Sequence, residues 1–101
     1  MKTYTITFSF EAKLDMAKLN HYISYGLNSP ETAARYMDEL RNAIQRLAFY
    51  ADSIAISQSA YIQFLCGEDT RRVNYKKMAI LYVIRRDFVY VKRVLPGSLI
   101  R

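Results

Sequence analysis

The chain has 101 residues, 51% of them hydrophobic and 24% charged, and its formal net charge is +6. This length is typical of one domain spanning residues 1–101, with a core of its own. One cysteine, Cys66, and one histidine, His21, exclude a disulfide framework and a Cys/His zinc site. We therefore predict no metal and no cofactor. No apolar run approaches the ~18 residues of a membrane span, and the first residues do not resemble a signal peptide. We expect a cytoplasmic protein with no membrane partner.

The excess positive charge is confined to the end of the chain. Residues 71–101 contain nine basic residues and one acid, Asp87, for a net charge of +8, whereas residues 1–70 have a net charge of −2. A basic segment of this kind is typical of a docking surface for an acidic partner. The alternative is that these cations only keep an exposed sheet soluble and its edges unpaired. The charge alone does not separate the two interpretations.

The first elements in chain order are a strand and two helices. Residues 3–9 alternate between polar and apolar types, which predicts a strand with one buried face. Ser9 is placed to cap a first helix, which we expect Gly26 to end in the left-handed conformation. Ser29 and Pro30 mark the start of a second helix, predicted to run to about Tyr50. The short connection predicts an antiparallel helical hairpin.

The second half of the chain is predicted to form a sheet. Residues 54–56 and 61–65 are apolar enough for short strands or a packed loop. Residues 71–76 alternate, residues 78–84 are continuously apolar and therefore central, and residues 88–95 alternate again. In the last strand we expect Arg93 on the same face as Val89 and Val91. The order β-α-α-β-β-β predicts an α+β domain with the hairpin packed on a mostly antiparallel twisted sheet.

The predicted sheet carries the candidate site. Arg72 and Lys76, four residues apart on one strand, are expected on the same face, with Arg93 near the end of the last strand. Tyrosines interleave with these cations, a combination that grips phosphates and stacks bases. Tyr82 should be core, and Tyr75 and Tyr90 either core or ligand contacts. The residues predicted to bind a target or partner are Arg72, Tyr75, Lys76, Lys77, Tyr90, Lys92 and Arg93. His21 is expected at the surface and Cys66 as a small buried filler.

The order and spacing of these segments resemble the RelE/ParE superfamily, the toxins of bacterial toxin–antitoxin modules, often labelled plasmid-stabilisation proteins. The resemblance covers nearly the whole chain. It rests on YTITFS at residues 4–9, on Glu11, Ala12 and Asp15, on Tyr22 and Ile23, on SPETA at residues 29–33, on Leu40, Ile44 and Leu47, on RRVNYKK at residues 71–77, on ILY at residues 80–82, and on VYVKRVLPG at residues 89–97.

The resemblance implies a small toxin that is neutralised by a cognate antitoxin. In this superfamily the antitoxin wraps an acidic, partly disordered segment around the toxin. That arrangement would give the basic sheet a protein partner and allows a toxin–antitoxin hetero-oligomer.

The superfamily also implies two different activities. RelE-like members cleave messenger RNA on the ribosome, with cations on the sheet and often a tyrosine or histidine near the C-terminus. ParE-like members lack that set and poison DNA gyrase. Here Ala79 and Ile80 lie where the nuclease branch tends to carry an arginine, Pro96 replaces a histidine of many relatives, and no tyrosine or histidine follows Arg93.

These differences favour a ParE-like toxin that binds its target without catalysis. Two alternatives stay open. One is a RelE-like, ribosome-dependent endoribonuclease with Arg72, Lys76 and Arg93 as the candidate catalytic residues. The other is a non-toxic relative that only binds an antitoxin.

Overall fold

The structure is a computed structural model that describes residues 2–100. Arg101, counted above with the basic segment, lies outside the described residues. The elements are β1 (Thr5–Phe8), α1 (Phe10–His21), α2 (Pro30–Gln45), α3 (Leu47–Tyr50), α4 (Ala60–Cys66), β2 (Arg71–Tyr75), β3 (Met78–Arg85) and β4 (Phe88–Pro96).

The four described strands form one sheet in the order β1-β4-β3-β2. β1 pairs in parallel with β4, while β2 with β3 and β3 with β4 are antiparallel. β3 is central, and all its residues from 78 to 83 are buried, as its continuous apolar run predicts. The predicted α+β fold, with a helical hairpin on a mostly antiparallel sheet, is confirmed.

The hairpin of α1 and α2 covers one face of this sheet. Its buried side chains form the main core with strand residues such as Ile80, Val91 and Val94. Tyr82 is fully buried, as expected, and its hydroxyl donates to the carbonyl of Ala51 at 2.7 Å. The bond satisfies the one polar atom that this large side chain brings into the core.

A β-bulge interrupts the alternation predicted for the last strand. Tyr82 pairs with Val91 and Leu81 pairs with Arg93, which leaves Lys92 without a partner on β3. The extra residue reverses the phase of the strand. Val94 therefore joins Val91 in the hairpin-side core, and the expectation that Arg93 shares the face of Val91 is wrong.

The helix boundaries differ from prediction in two places. α1 continues into a wider π turn over Tyr22–Gly26, and the left-handed residue is Asn28 at φ 52°, not Gly26. Asparagine tolerates that conformation because its short side chain bonds locally. α2 ends at Gln45, and the residues up to Tyr50 form the separate turn α3. Ser9 caps α1 as predicted, its Oγ accepting from the Ala12 N–H at 3.0 Å.

The other face of the sheet is covered in part by α4, where the sequence suggested strands or a loop. Ser59 caps this helix, and Ile62 packs on Ala79 and Leu81 in a second, smaller core. Gly67, at φ 114°, follows its last residue in a conformation that few other residues adopt. A strand over residues 61–65 is therefore wrong, because a short apolar run does not distinguish a strand from a buried helix.

Within residues 2–100, none of the helices combines the length and the apolar character that a membrane crossing requires.

Candidate binding surface

Arg93 is bound to an acid of α1. Its Nε donates to Asp15 Oδ2 at 2.7 Å and its Nη2 donates to Oδ1 at 3.0 Å. The Val94 N–H donates to the same Oδ2 at 3.0 Å. The Asp15 side chain is 7% exposed and that of Arg93 28%. The hydrogen bond to Asp15 raises the pKa of the Arg93 guanidinium further above its ordinary value. The guanidinium of Arg93 therefore stabilises the fold by holding α1 against β4.

The end of β1 explains why Asp15 lies there. The pairing of β1 with β4 stops at Phe8 opposite Val91. The Ser9 N–H then donates to the Val91 carbonyl at 2.9 Å, and the Ser9 hydroxyl donates to the Lys92 carbonyl at 2.8 Å. Asp15 continues this attachment by accepting from Val94. The first turns of α1 thus bond to the part of β4 that lies beyond its pairing with β1.

Lys76 and Tyr75 face α2. Lys76 lies in the β2–β3 turn at φ 52°, with its Nζ 3.8 Å from Glu39 Oε2 and 5.5 Å from the ring centroids of Tyr36 and Tyr75. The Tyr75 hydroxyl donates to the same Glu39 oxygen at 2.6 Å. That bond raises the pKa of Tyr75 to about 12 and lowers that of Glu39. Because Lys76 is a turn residue, the prediction that it shares a strand face with Arg72 is wrong.

Arg72 and Lys77 lie at the same end of the sheet. Arg72 is opposite Leu81, on the face away from the hairpin, and its Nε donates to Asn74 Oδ1 at 2.9 Å. The Lys77 side chain is exposed, while its carbonyl accepts from the Gly97 N–H at 2.7 Å. A cavity of about 380 Å³ opens here. It is lined by Arg72, Asn74, Lys76, Lys77, Pro96, Gly97 and Ser98.

Tyr90 and Lys92 lie elsewhere on β4. Tyr90 is opposite Val83, on the face away from the hairpin, and is 38% exposed. Its ring centroid is 5.9 Å from that of Phe88, which is also exposed. Lys92 is the half-buried residue of the bulge. Tyr90 is therefore a surface side chain and not part of the described core.

The structure brings together three of the predicted residues, Arg72, Lys76 and Lys77, around one cavity. Arg93 is separated from Arg72 by Leu81, which pairs with both. Two strand spacings amount to about 10 Å between their backbones. The three candidate nuclease residues Arg72, Lys76 and Arg93 therefore do not surround a single point.

Sequence reasoning missed the acids that hold these cations. Asp15 and Glu39 were not assigned as the partners of Arg93 and Lys76. For Asp15 a signal was present, because an acid next to the apolar stripe of α1 is rarely buried without a partner. His21 is exposed and its ring lies 4.8 Å from that of Tyr25. Burial raises the pKa of the half-buried Cys66 thiol. The described residues contain no group of three or more His, Cys, Asp or Glu side chains placed to hold a metal.

Comparison with known proteins identifies the family. Residues 6–100 match the family described as the ParE toxin of the type II toxin–antitoxin system parDE. Among solved structures, the chain is similar to one titled "Chromosomal ParDE TA system from P. aeruginosa", with a TM-score of 0.71 and 13% identity over 93% of this chain and 96% of that chain. A search of curated proteins found no significant match. Because the family match spans nearly all its residues, the chain belongs to the ParE toxin family of type II toxin–antitoxin systems.

Proposed function

We propose that this chain acts in the cytoplasm as a toxin that binds DNA gyrase without cleaving RNA, and that a cognate antitoxin neutralises it. The observation that supports this proposal best is the pairing of Arg93 with Asp15. A nuclease of the related branch would use cations of the sheet to hold the scissile phosphate. Here Arg93, the cation nearest the end of β4, is already neutralised by Asp15.

Freeing Arg93 for a phosphate would be unfavourable. It would break two hydrogen bonds and leave the Asp15 carboxylate, 7% exposed, with the Val94 N–H as its one remaining partner. Breaking a buried ion pair from one side costs about 3–5 kcal/mol. The same carboxylate would then repel an arriving phosphate. Catalysis requires charges that are oriented before the reaction, and Arg93 is oriented toward Asp15.

Proton transfer at this surface is also poorly supported. A general base works best with a pKa near the working pH. The Glu39 hydrogen bond raises the pKa of Tyr75 to about 12, which moves it away from neutrality. His21 lies at the C-terminal end of α1 with its ring tilted against that of Tyr25, and it does not line the cavity of Arg72. These features favour binding over cleavage.

The exposed rings of Phe88 and Tyr90 suit contact with a protein. Tyrosine is one of the residue types enriched among the few that dominate the binding energy at protein interfaces, and neighbouring charges guide the approach. Lys92 follows the pair on β4, and the net charge of +6 favours an acidic partner. We infer that the acidic segment of the antitoxin covers this part of the sheet and excludes the target.

The decisive cellular experiment is induction of the chain alone in bacteria, with a DNA-damage reporter and mapping of message 5′ ends. We expect growth arrest, filamentation and reporter activity, with no cuts at fixed codon positions. A matched variant, Asp15→Ala with Arg93→Ala, removes both charges together and should stay toxic when circular dichroism shows that it is folded. Codon-positioned cuts that disappear in this variant would overturn the proposal in favour of a RelE-like nuclease. Harmless induction of the folded chain would indicate a non-toxic relative.

The antitoxin is tested separately. Co-expression with the small acidic protein of the adjacent reading frame should restore growth and yield a complex that survives purification. Replacing Tyr90 with alanine should weaken that complex more than replacing Tyr25, an exposed tyrosine on the π turn. Equal effects of the two substitutions would refute the assigned surface.

A further inference from the structure

The cavity beside Arg72 brings three cationic side chains together. It has a volume of about 380 Å³, and its lining includes Arg72, Lys76 and Lys77 but no carboxylate. We propose that this cavity binds a backbone phosphate of nucleic acid. The proposal does not depend on gyrase. If gyrase is the target, the cavity would let the toxin hold the DNA on which that enzyme works.

Three separate segments build the cavity. Arg72 comes from β2, Lys77 from the β2–β3 turn, and Gly97 from the turn after β4. The hydrogen bond of 2.7 Å from the Gly97 N–H to the Lys77 carbonyl fixes the two turns to each other. A Cβ at Gly97 would lie 3.1 Å from Arg72 Nη2 and 3.3 Å from the Lys77 carbonyl oxygen. Glycine at this position therefore lets the guanidinium lie against the backbone.

The cations of the cavity keep their charge available. Arg72 bonds through Nε to the neutral amide of Asn74, which orients its guanidinium and leaves its two Nη groups for a ligand. Lys77 makes no ion pair with any of residues 2–100. The pair of Lys76 with Glu39 is long, at 3.8 Å, and exposed, so it holds Lys76 only weakly.

The other arginines of the four described strands are engaged by the fold. Arg93 is paired with Asp15, Arg85 with Asp69, and Arg71 donates to the carbonyls of residues 52 and 54. The charge at Arg72 and Lys77 therefore stands out against a sheet whose other arginines are neutralised or used as structural donors.

The lining favours a phosphate over an acidic peptide. Arginine, lysine, asparagine and serine side chains and backbone N–H groups are the usual contacts to phosphate oxygens. The residues that dominate the binding energy at protein interfaces are enriched in Trp, Tyr and Arg and lie in well-packed, desolvated pockets. Pro96 is the one apolar side chain in the lining, whereas the exposed aromatic rings lie elsewhere, at Phe88 and Tyr90.

The test is a binding titration with the full chain. Fluorescein-labelled DNA duplex and RNA hairpin of matched length serve as probes in anisotropy measurements at several salt concentrations. The cavity variant is Arg72→Gln with Lys77→Gln. The control, Lys13→Gln with Lys18→Gln, removes the same charge from exposed positions on α1. Circular dichroism checks that both variants are folded.

We expect the cavity variant to bind about tenfold more weakly than the wild type, on the scale of one charge-assisted hydrogen bond. The slope of log affinity against log salt should fall by about one, as expected for one lost phosphate contact. The control variant should change neither quantity as much. Gly97→Ala should weaken binding without any change of charge, because its methyl group displaces Arg72. The probe that the chain binds with higher affinity, DNA duplex or RNA hairpin, identifies the type of nucleic acid.

Three outcomes would overturn the proposal. The first is that the wild type binds neither probe. Equal weakening by the cavity and control variants would mean that overall charge, and not this cavity, attracts nucleic acid. The third is that labelled polyglutamate binds the wild type more tightly than either nucleic acid and loses that affinity in the cavity variant, which would assign the cavity to an acidic peptide. If the chain does not inhibit gyrase, none of these binding measurements changes, so the two proposals can be refuted independently.

Discussion

Replacing Asp15 with alanine should destabilise the protein more than replacing any charged side chain among the described residues other than its partner Arg93. The change removes the acceptor of Arg93 Nε, Arg93 Nη2 and the Val94 N–H together. Loss of one partner from a buried ion pair costs about 3–5 kcal/mol. Arg93 is 28% exposed and recovers some hydration. We therefore expect the free energy of unfolding to fall by about 3 kcal/mol.

A double-mutant cycle isolates the pair. Arg93→Ala leaves the Asp15 carboxylate buried with one remaining hydrogen bond, and should also cost about 3 kcal/mol. The double variant removes both charges and should be less destabilised than the sum of the single variants. We expect a coupling energy of about 2 kcal/mol, within the range measured for contacting residues.

Urea unfolding measures all four proteins. With a slope of about 1.5 kcal/mol/M, each single substitution should lower the midpoint by roughly 2 M. Lys13→Ala, an exposed position on the same helix, serves as the control and should change the midpoint little. Additive effects of the two substitutions would show that Asp15 and Arg93 are not coupled. Losses below about 0.5 kcal/mol, which are typical of surface sites, would refute the conclusion that Arg93 stabilises the fold.

The remaining predictions concern three other contacts. Tyr75→Phe should raise the lowered pKa of Glu39 toward its ordinary 4.5, measured by carboxyl NMR; an unchanged value would refute the hydrogen bond as its cause. Because folding lowers this pKa, the contribution of Glu39 to stability is present above pH 4.5 and is lost as the pH falls through the folded value. Ile62→Ala, at a site 1% exposed under α4, should cost about 2–4 kcal/mol in urea unfolding, and a loss below about 1 kcal/mol would mean that α4 is not anchored there. Arg86→Gly should stabilise by about 0.5–1 kcal/mol because Arg86 has φ 56°; a lower melting temperature would contradict this expectation.

The elements with a clear period were predictable from the sequence. β1 and the two long helices each carry an apolar pattern with the period of one regular structure, and the continuous apolar run of β3 is typical of a strand buried on both faces. The cap at Ser9 follows from local hydrogen bonding alone. Local signals therefore determined most of the fold, including the side of the hairpin that packs on the sheet.

The parts that were not predictable depend on distant residues. α4 is seven residues long, and its apolar run can be assigned to a helix only from its packing on Ala79 and Leu81 of the sheet. The bulge at Lys92 appears only in the register with β3. At the site, Arg93 read as a free cation because its partner, Asp15, is 78 residues away in the sequence. Charge counts locate a basic segment but do not show which cations are already paired.

The toxin is expected to inhibit gyrase without acting on RNA, and a supercoiling assay tests this claim most directly. Purified gyrase, ATP and relaxed plasmid are incubated with increasing amounts of the folded chain, and the topoisomers are separated on a gel. We expect dose-dependent loss of supercoiling, with cleaved plasmid trapped on the enzyme, and restoration of supercoiling by the co-purified antitoxin. Unchanged supercoiling at a large molar excess of the folded toxin would contradict it.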